Sequence, residues 1–408
     1  MKPASPLAAA LLAQESQQVA FFQRLVRANS VNGALAGASD PSAPIERAVA
    51  DIIAEELARL GFEPEFVGVT SARPNVVCSI PGTEHEGKTL ILTTHMDTVA
   101  PSGYSRDPWG GQIEDGRLYG LGAADAKAQI AAMVYAMAAL RQAGIKLKGQ
   151  VTLAFVVDEE SGACSPYGTR YLLDHGHLTG DGVIVGEPGN AMIAIGHRGL
   201  YRFRLTIQGE ATHTGRKAWE QGRAGRNAIT DMARLIHSLL GVSLPETSVA
   251  LFPGRTSVLT FPTLIRGGSG INVVPDACEA YGDARLLPGL GAEDIKQLLM
   301  THLKDLSIDR YQLEDLLIVP AAETSPHAEI VQVLASAVRT LTGKFPPLLG
   351  SGPACDGWMY ISRGIPTVCG YGVMCGGVHG ADEWADLNSL RTATEVYAIT
   401  AMQFLKEE

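Results

Sequence analysis

The chain has 408 residues, 46% of them hydrophobic and 19% charged, which is ordinary globular usage with ample apolar material for a large core. Lys and Arg number 33 against 43 Asp and Glu, a formal net charge of −10. That balance argues against a nucleic-acid backbone as the main partner, since phosphate binding needs a basic face. No apolar stretch reaches the roughly 18 residues that span a bilayer, so no membrane partner is expected, and the length suggests two domains.

In chain order, the first segment, MKPASPLAAALLAQES, carries one Lys and an apolar run too short for a signal peptide. It reads instead as the start of a helix over 8–27, with Leu11, Leu12, Val19, Phe22 and Leu25 near one stripe. Strands are expected at 75–80 and 89–94. A helix follows over 126–143, ending at Gly144. The run VTLAFVV at 151–157 is continuously apolar, as a strand buried on both faces should be. A helix at 167–175 and a short strand at 183–185 come next. After Pro188 the texture changes: YRFRLTIQ at 201–208 alternates, like an antiparallel strand with one wet face. A helix at 222–240, strands near 256–265 and 273–284, and a helix at 292–306 complete a compact α+β unit. From Tyr311 the buried pattern resumes with a strand at 316–320, a helix at 327–341, a strand at 366–371 and a helix at 387–405. The expected fold is therefore α/β: a mostly parallel sheet with helices on both faces, formed by 1–190 and 305–408. An α+β domain, 191–304, is inserted in it.

Six cysteines occur, at Cys78, Cys164, Cys278, Cys355, Cys369 and Cys375. Without any C-x-x-C pair a cysteine-rich zinc site is not expected, and reduced thiols in a cytoplasmic protein are the reading adopted.

Three expected strands run into chemistry-bearing residues: 89–94 into His95-Met96-Asp97, 151–157 into Asp158-Glu159-Glu160, and 183–185 into Gly186-Glu187. The carboxyl ends of parallel strands open into the crevice where α/β proteins bind ligands. Asp125 opens a helix after Gly120-Leu121-Gly122, and His379 sits in a glycine loop. Imidazole and carboxylate without thiolate suit zinc, with cobalt or manganese as substitutes. Two ions need a bridging carboxylate and about two further ligands each, and His95, Asp125, Glu160, Glu187 and His379 are that number. Glu159 is left as a general base for a metal-bound water. Asp97, two residues from His95, can accept the second imidazole N–H and set the tautomer. Each feature has a bland alternative. An acid pair such as Glu159-Glu160 is often a solvated loop, and an H-x-D tripeptide is common by chance. His85, His175, His177 and His237 have no partner pattern and are expected at the surface.

Taken together, HMDTVAP at 95–101, DGRLYGLGAADAKAQIAAM at 115–133, VDEESGA at 157–163, VGEP at 185–188, GEATHTGRKAWEQGRAGRNAI at 209–229, INVVPDA at 271–277, DARLLPG at 283–289 and VHGADEW at 378–384 carry a resemblance. They resemble, in order, the zinc-dependent exopeptidases and deacylases that include acetylornithine deacetylase, succinyl-diaminopimelate desuccinylase, aminoacylase and glutamate carboxypeptidase. The resemblance implies two Zn2+ ions bridged by Asp125, one bound by His95 and Glu187 and the other by Glu160 and His379, with Glu159 as general base. It implies a cis peptide after Asp125 and a homodimer formed through the inserted domain, which acts as a lid. His213 would reach the partner subunit's site and stabilise the oxyanion. Arg285 and Asn272 would hold the carboxylate of a small N-acyl amino acid or peptide substrate. Arg285 also has a structural alternative, an ion pair with Asp283.

The sequence departs from that pattern in three places. Ala126-Lys127-Ala128 follows Asp125, Gly357-Trp358 replaces an arginine region in 351–358, and the loop 371–377 carries Met374 and Cys375. Trp358, Tyr360 and Met374 suggest an apolar pocket or, equally, core. The function expected is metal-dependent amide hydrolysis, with a dipeptidase or carboxypeptidase as the alternative to a deacylase. A non-catalytic metal-binding protein of the same fold is disfavoured, because every ligand and the base are present. A nucleotide-binding fold is disfavoured because Asp125 stands at the third position of the glycine fingerprint.

Overall fold

The structure, a computed structural model, describes residues 5–34, 40–84, 86–162, 166–245 and 249–406. The chain divides into two units: Met1–His197 with Ala322–Glu408, and Arg198–Ala321. No described helix is long and apolar enough to cross a membrane.

The larger unit is built on a nine-stranded mixed sheet. Its centre is four parallel strands, in the order Gln150–Val156, Thr89–His95, Gly182–Gly186 and Thr367–Tyr371. Antiparallel neighbours extend both sides: Asn75–Ile80 beyond Gln150–Val156, and Ile193–His197 beyond Thr367–Tyr371. The apolar runs are buried on both faces, because side chains alternate across a strand and both faces are covered. Along Gly182–Gly186, Val183 and Val185 join a cluster with Leu172, Met359 and Tyr360. The opposite face is so close to helices that a Cβ at Gly182 would meet Phe404 and one at Gly186 would meet Met133.

Helix Ala128–Gln142 is buried from Ala128 to Leu140, and its alanines let helices Pro6–Arg27 and Leu387–Leu405 approach it closely. On Pro6–Arg27 the buried stripe runs through Leu11, Gln14, Gln18, Phe22 and Leu25. Leu12 lies off it, 65% exposed. Helix Arg47–Arg59, amphipathic but without a side-chain cap, was not expected from the sequence.

The smaller unit is a four-stranded antiparallel sheet in the order Val258–Gly267, Ala277–Leu286, Gly199–Gln208, Tyr311–Val319. Tyr201, Phe203, Leu205 and Ile207 point into a core shared with helices Ala228–Leu239 and Ala292–Asp305. The helix expected from 222 begins at 228, where Asn227 Oδ1 accepts from the backbone N–H groups of Ile229 and Thr230 at 3.0 and 3.1 Å.

Both boundaries of this unit differ from expectation. Ile193–His197 is wholly buried and pairs with Leu348–Ser351 and Thr367–Tyr371, so the larger unit continues to 197 rather than ending at 190. The strand assigned to the larger domain at 316–320 instead pairs with Gly199–Gln208 in the smaller sheet. Its apolar run reads as doubly buried, yet Ile318 is 37% exposed between the buried Leu317 and Val319. It is an alternating strand that carries an apolar residue, Ile318, on its outer face.

Candidate metal centre

His95 ends strand Thr89–His95, Glu159 and Glu160 follow Gln150–Val156, and Glu187 follows Gly182–Gly186. These strands are parallel neighbours, so all four side chains arise at one edge of the sheet. Two further elements complete the group. Asp125 lies in the turn Ala123–Lys127 that leads into helix Ala128–Gln142, and its peptide to Ala126 is cis. His379, with φ +54°, lies in the loop joining Cys375–Gly376 to Trp384–Asp386. Trp384–Asp386 pairs with Arg117–Tyr119, which brings that loop beside the segment carrying Asp125.

Two sets of donor atoms each lie within 4.8 Å of one another: His95, Asp125 and Glu187, and Asp125, Glu160 and His379. Asp125 belongs to both. Its Oδ1 is 3.0 Å from His95 Nε2 and its Oδ2 is 3.1 Å from His379 Nε2. His379 Nε2 is also 3.1 Å from Glu160 Oε1. Asp97 stands behind His95. His95 Nδ1 is 3.0 Å from the Asp97 carbonyl and 3.5 Å from its carboxylate. The carboxylate also accepts the backbone N–H groups of Glu159 and Glu160 at 3.1 and 3.0 Å and Asn32 Nδ2 at 2.9 Å. It thereby ties the acid-bearing loop to the histidine strand.

The electrostatics are those of a place short of positive charge. Burial, with neighbouring acids adding, pushes the Glu159 and Glu187 carboxyls well above the ordinary range. Glu160 is raised by burial too, against the pull of His379. Asp125 goes the other way: burial would raise it, but its two histidines hold it below the ordinary range. His379 is pushed up to about 10 by Asp125 and Glu160. The two imidazoles thus act as counterions to the acids. A divalent cation would do the same with its own charge and displace those protons.

The residues that hold this arrangement were not expected from the sequence. Glu383, 1% exposed, accepts the backbone N–H groups of Gly122, Ala124 and Asp125 at 3.0, 2.7 and 2.9 Å, so one carboxylate fixes the turn that presents Asp125. Its sequence signal is its place in VHGADEW at 378–384, four residues after His379, to which no role was attached. Deeper, Arg73 Nε donates to Glu46 Oε2 at 2.7 Å and Arg73 Nη2 to Asp158 Oδ1 at 3.2 Å. Asn32 Nδ2 bridges Asp158 Oδ1 at 2.6 Å to the Asp97 carboxylate. Lys127 is buried, with Nζ 2.8 Å from the Ala28 carbonyl, and burial pushes it down to about 7.

In the smaller unit, His213 Nε2 and Asn272 Nδ2 are 3.4 Å apart on exposed backbone. Arg285 donates through Nε and Nη2 to Asp283 at 2.7 and 3.3 Å, which is the structural ion pair weighed above. The atypical loops divide. Tyr360 is core, Trp358 packs against that core, and Met374 is 44% exposed. Asp356 is buried, accepts from Thr169 Oγ1 at 2.6 Å, and is pushed up to about 6 by burial. His175, His177 and His237 are exposed, while His85 and Cys164 lie outside the described residues.

Residues 91–403 match Peptidase family M20/M25/M40. The succinyl-diaminopimelate desuccinylase of Methylobacterium radiotolerans is 30% identical over 374 residues, 87% of this chain and 91% of that protein. The acetylornithine deacetylase of Salmonella paratyphi B is 30% identical over 296 residues, 69% of this chain and 73% of that one. The YxeP protein of Bacillus subtilis, a dinuclear metal-binding peptidase, superposes with a TM-score of 0.72 over 97% of this chain and 100% of its own, a likeness of fold at 16% identity. The chain is a hydrolase belonging to peptidase family M20/M25/M40.

Proposed function

We propose that this protein hydrolyses the amide bond of a small N-acyl amino acid or peptide at a pair of zinc ions. The observation that carries the reading is Asp125, whose two carboxylate oxygens each face a different histidine at 3.0 and 3.1 Å. The donor set fits the ions: imidazole and carboxylate, with more buried acid than the two histidines neutralise. His95 and Glu187 would hold one ion, Glu160 and His379 the other, and Asp125 would bridge. When bound, such a pair supplies Lewis-acid activation of water and of the scissile carbonyl.

The chain's own residues do the rest. Glu159, held high by burial among acids, takes the proton of the attacking water and returns it to the departing amine. Asp97 and Glu383 keep the loops of Glu159, Glu160 and Asp125 in place. In the smaller unit burial, and after it the like charges of Arg255 and Arg285, push the Arg198 guanidinium down, with Asp283 opposing. That excess of positive charge supports a place for a substrate carboxylate at Arg285, with Asn272 beside His213. His213 would act in a second copy of the chain, stabilising the oxyanion there. A dimer through the smaller unit is supported by its edge strand Val258–Gly267, which exposes Val258, Leu264 and Ile265.

A deacylase is favoured over a dipeptidase by the names of the curated relatives described above, a desuccinylase and a deacetylase. The test is amine release from a panel of N-acyl amino acids and dipeptides, with chelated and metal-restored enzyme in parallel. Metal-dependent release from N-acyl amino acids bearing a free α-carboxylate is expected. Release from dipeptides alone would replace the deacylase reading, and release that survives complete chelation would overturn the metal mechanism.

A further inference from the structure

A second group of metal-binding side chains lies in the core of the larger unit. His197 ends strand Ile193–His197, Cys355 precedes helix Gly357–Ile361, and Cys369 lies in strand Thr367–Tyr371. One donor atom from each falls within 4.8 Å of the others. All three are buried, at 0%, 5% and 1% exposure. The backbone is fitted closely around the sulfurs. Cys355 Sγ donates to the Cys369 carbonyl at 3.2 Å and accepts the Gly357 N–H at 3.4 Å. A Cβ at Gly357 would stand 2.8 Å from Cys369 Sγ and 3.2 Å from Cys355 Sγ, so only glycine lets the chain lie against both. The absence of a C-x-x-C pair argued against a cysteine zinc site, but that rule addresses ligands close in sequence, and these are assembled by the fold.

We propose that His197, Cys355 and Cys369 bind one thiophilic divalent cation of the zinc class, separate from the histidine–carboxylate cluster. Two thiolates and a neutral imidazole around a divalent ion form a group of zero net charge, which a buried site tolerates. Binding releases the two thiol protons to solvent, and three protein ligands leave one position of a tetrahedral ion open. The ion has a structural use here. Ile193–His197 and Thr367–Tyr371 share a single registered pair, Gly370 with Ala194. The ion would tie those strands beside Gly370, whose Cβ position is 3.2 Å from Glu187 Cβ.

The proposal does not depend on the dinuclear reading, because that cluster contains no thiolate. The test is titration of the reduced, metal-free full chain with Co(II), followed by ultraviolet and visible absorption. A sulfur-to-cobalt charge-transfer band whose final amplitude corresponds to one thiolate-bound ion per chain is expected, whatever the other cluster takes up. It should persist in Cys375→Ser and in a His379→Ala variant that weakens the other cluster, and disappear in Cys355→Ser/Cys369→Ser. His197→Ala, which keeps both sulfurs, should weaken cobalt binding without removing the band. The wild-type spectrum needs no variant to fold: absence of a thiolate band there overturns the proposal. So does a band that survives loss of both cysteines, or a Cys355–Cys369 disulfide found by peptide mass in protein isolated without reductant.

Discussion

Two groups of acids, one in each unit, are treated in opposite ways. In the smaller unit Asp231 sits 2.8 Å from Arg226 and 3.1 Å from Arg234, Asp283 sits 3.0 Å from Arg202 and 2.7 Å from Arg285, and Asp315 sits 2.7 Å from Lys296. At the sheet edge of the larger unit, Glu159, Glu160, Glu187 and Asp125 meet one another and two histidines. The first pattern is compensated charge, on strands for Asp283 and Asp315 and on helix Ala228–Leu239 for Asp231, and each exposed pair contributes modestly to stability. The second is a cost that a fold carries only for a ligand that supplies the missing charge.

The sharpest test of that contrast is Glu187→Gln. With metal present it should remove ion binding at one site and take turnover to background. In metal-free protein the same change should raise Tm, because it replaces a buried acid that the surroundings hold neutral. A lower Tm in metal-free protein would mean that Glu187 is compensated after all. Next in size, Glu159→Gln should lower kcat by about 10²–10⁴-fold with metal content by atomic absorption unchanged. Near-normal turnover at full occupancy would remove Glu159 as the base.

Glu383→Gln tests the support rather than the cluster. It should weaken metal affinity by about 10–100-fold in a chelator competition while the far-ultraviolet spectrum stays native. Equal affinity would show that the turn bearing Asp125 holds itself. In the smaller unit Asp231→Ala should cost about 1–3 kcal/mol of stability by denaturant titration, since it strips charged hydrogen bonds from Arg226 and Arg234. It should leave kcat and metal content alone.

The smallest effect concerns a compensated acid within the larger unit. Burial pushes the Glu56 carboxyl up, but hydrogen bonds from Arg59 and Tyr135, both at 2.6 Å, outweigh it and hold the group below its ordinary 4.5. A depressed acid contributes stability that is fully present above the unfolded value and lost as pH falls through the folded one. Wild-type protein should therefore lose stability on acidification below about pH 4.5, and Glu56→Gln should lose less over that range. Parallel acid limbs would show that the pairing of Glu56 is worth nothing.

Much was legible in the chain alone. The strand at 75–80 and the helix at 387–405 were found at their bounds, the first from a short β-branched run and the second from a long helical stripe. The strand ends carrying His95, Glu159, Glu160 and Glu187 followed, because α/β topology puts carboxyl ends of neighbouring parallel strands at one edge. What failed did so where a local pattern has two readings. The apolar run at 316–319 serves as well on a half-exposed antiparallel strand as in a buried parallel one. Arg285 did not fail but keeps both of its readings, because its guanidinium offers the same fork to Asp283 as to a substrate.

The amino-acid sequence by itself determined the class of fold and the order in which the histidine and acid side chains reach the sheet edge, since both depend on periodicity and on residues near in sequence. Only the tertiary structure decided which charges are compensated: Glu383 on the turn of Asp125, Arg73 between Glu46 and Asp158, Asn32 between Asp97 and Asp158. It also brought His197 to Cys355 and Cys369. Desolvation and Coulomb attraction depend on distance through the packed interior, and these partners stand tens to hundreds of residues apart along the chain.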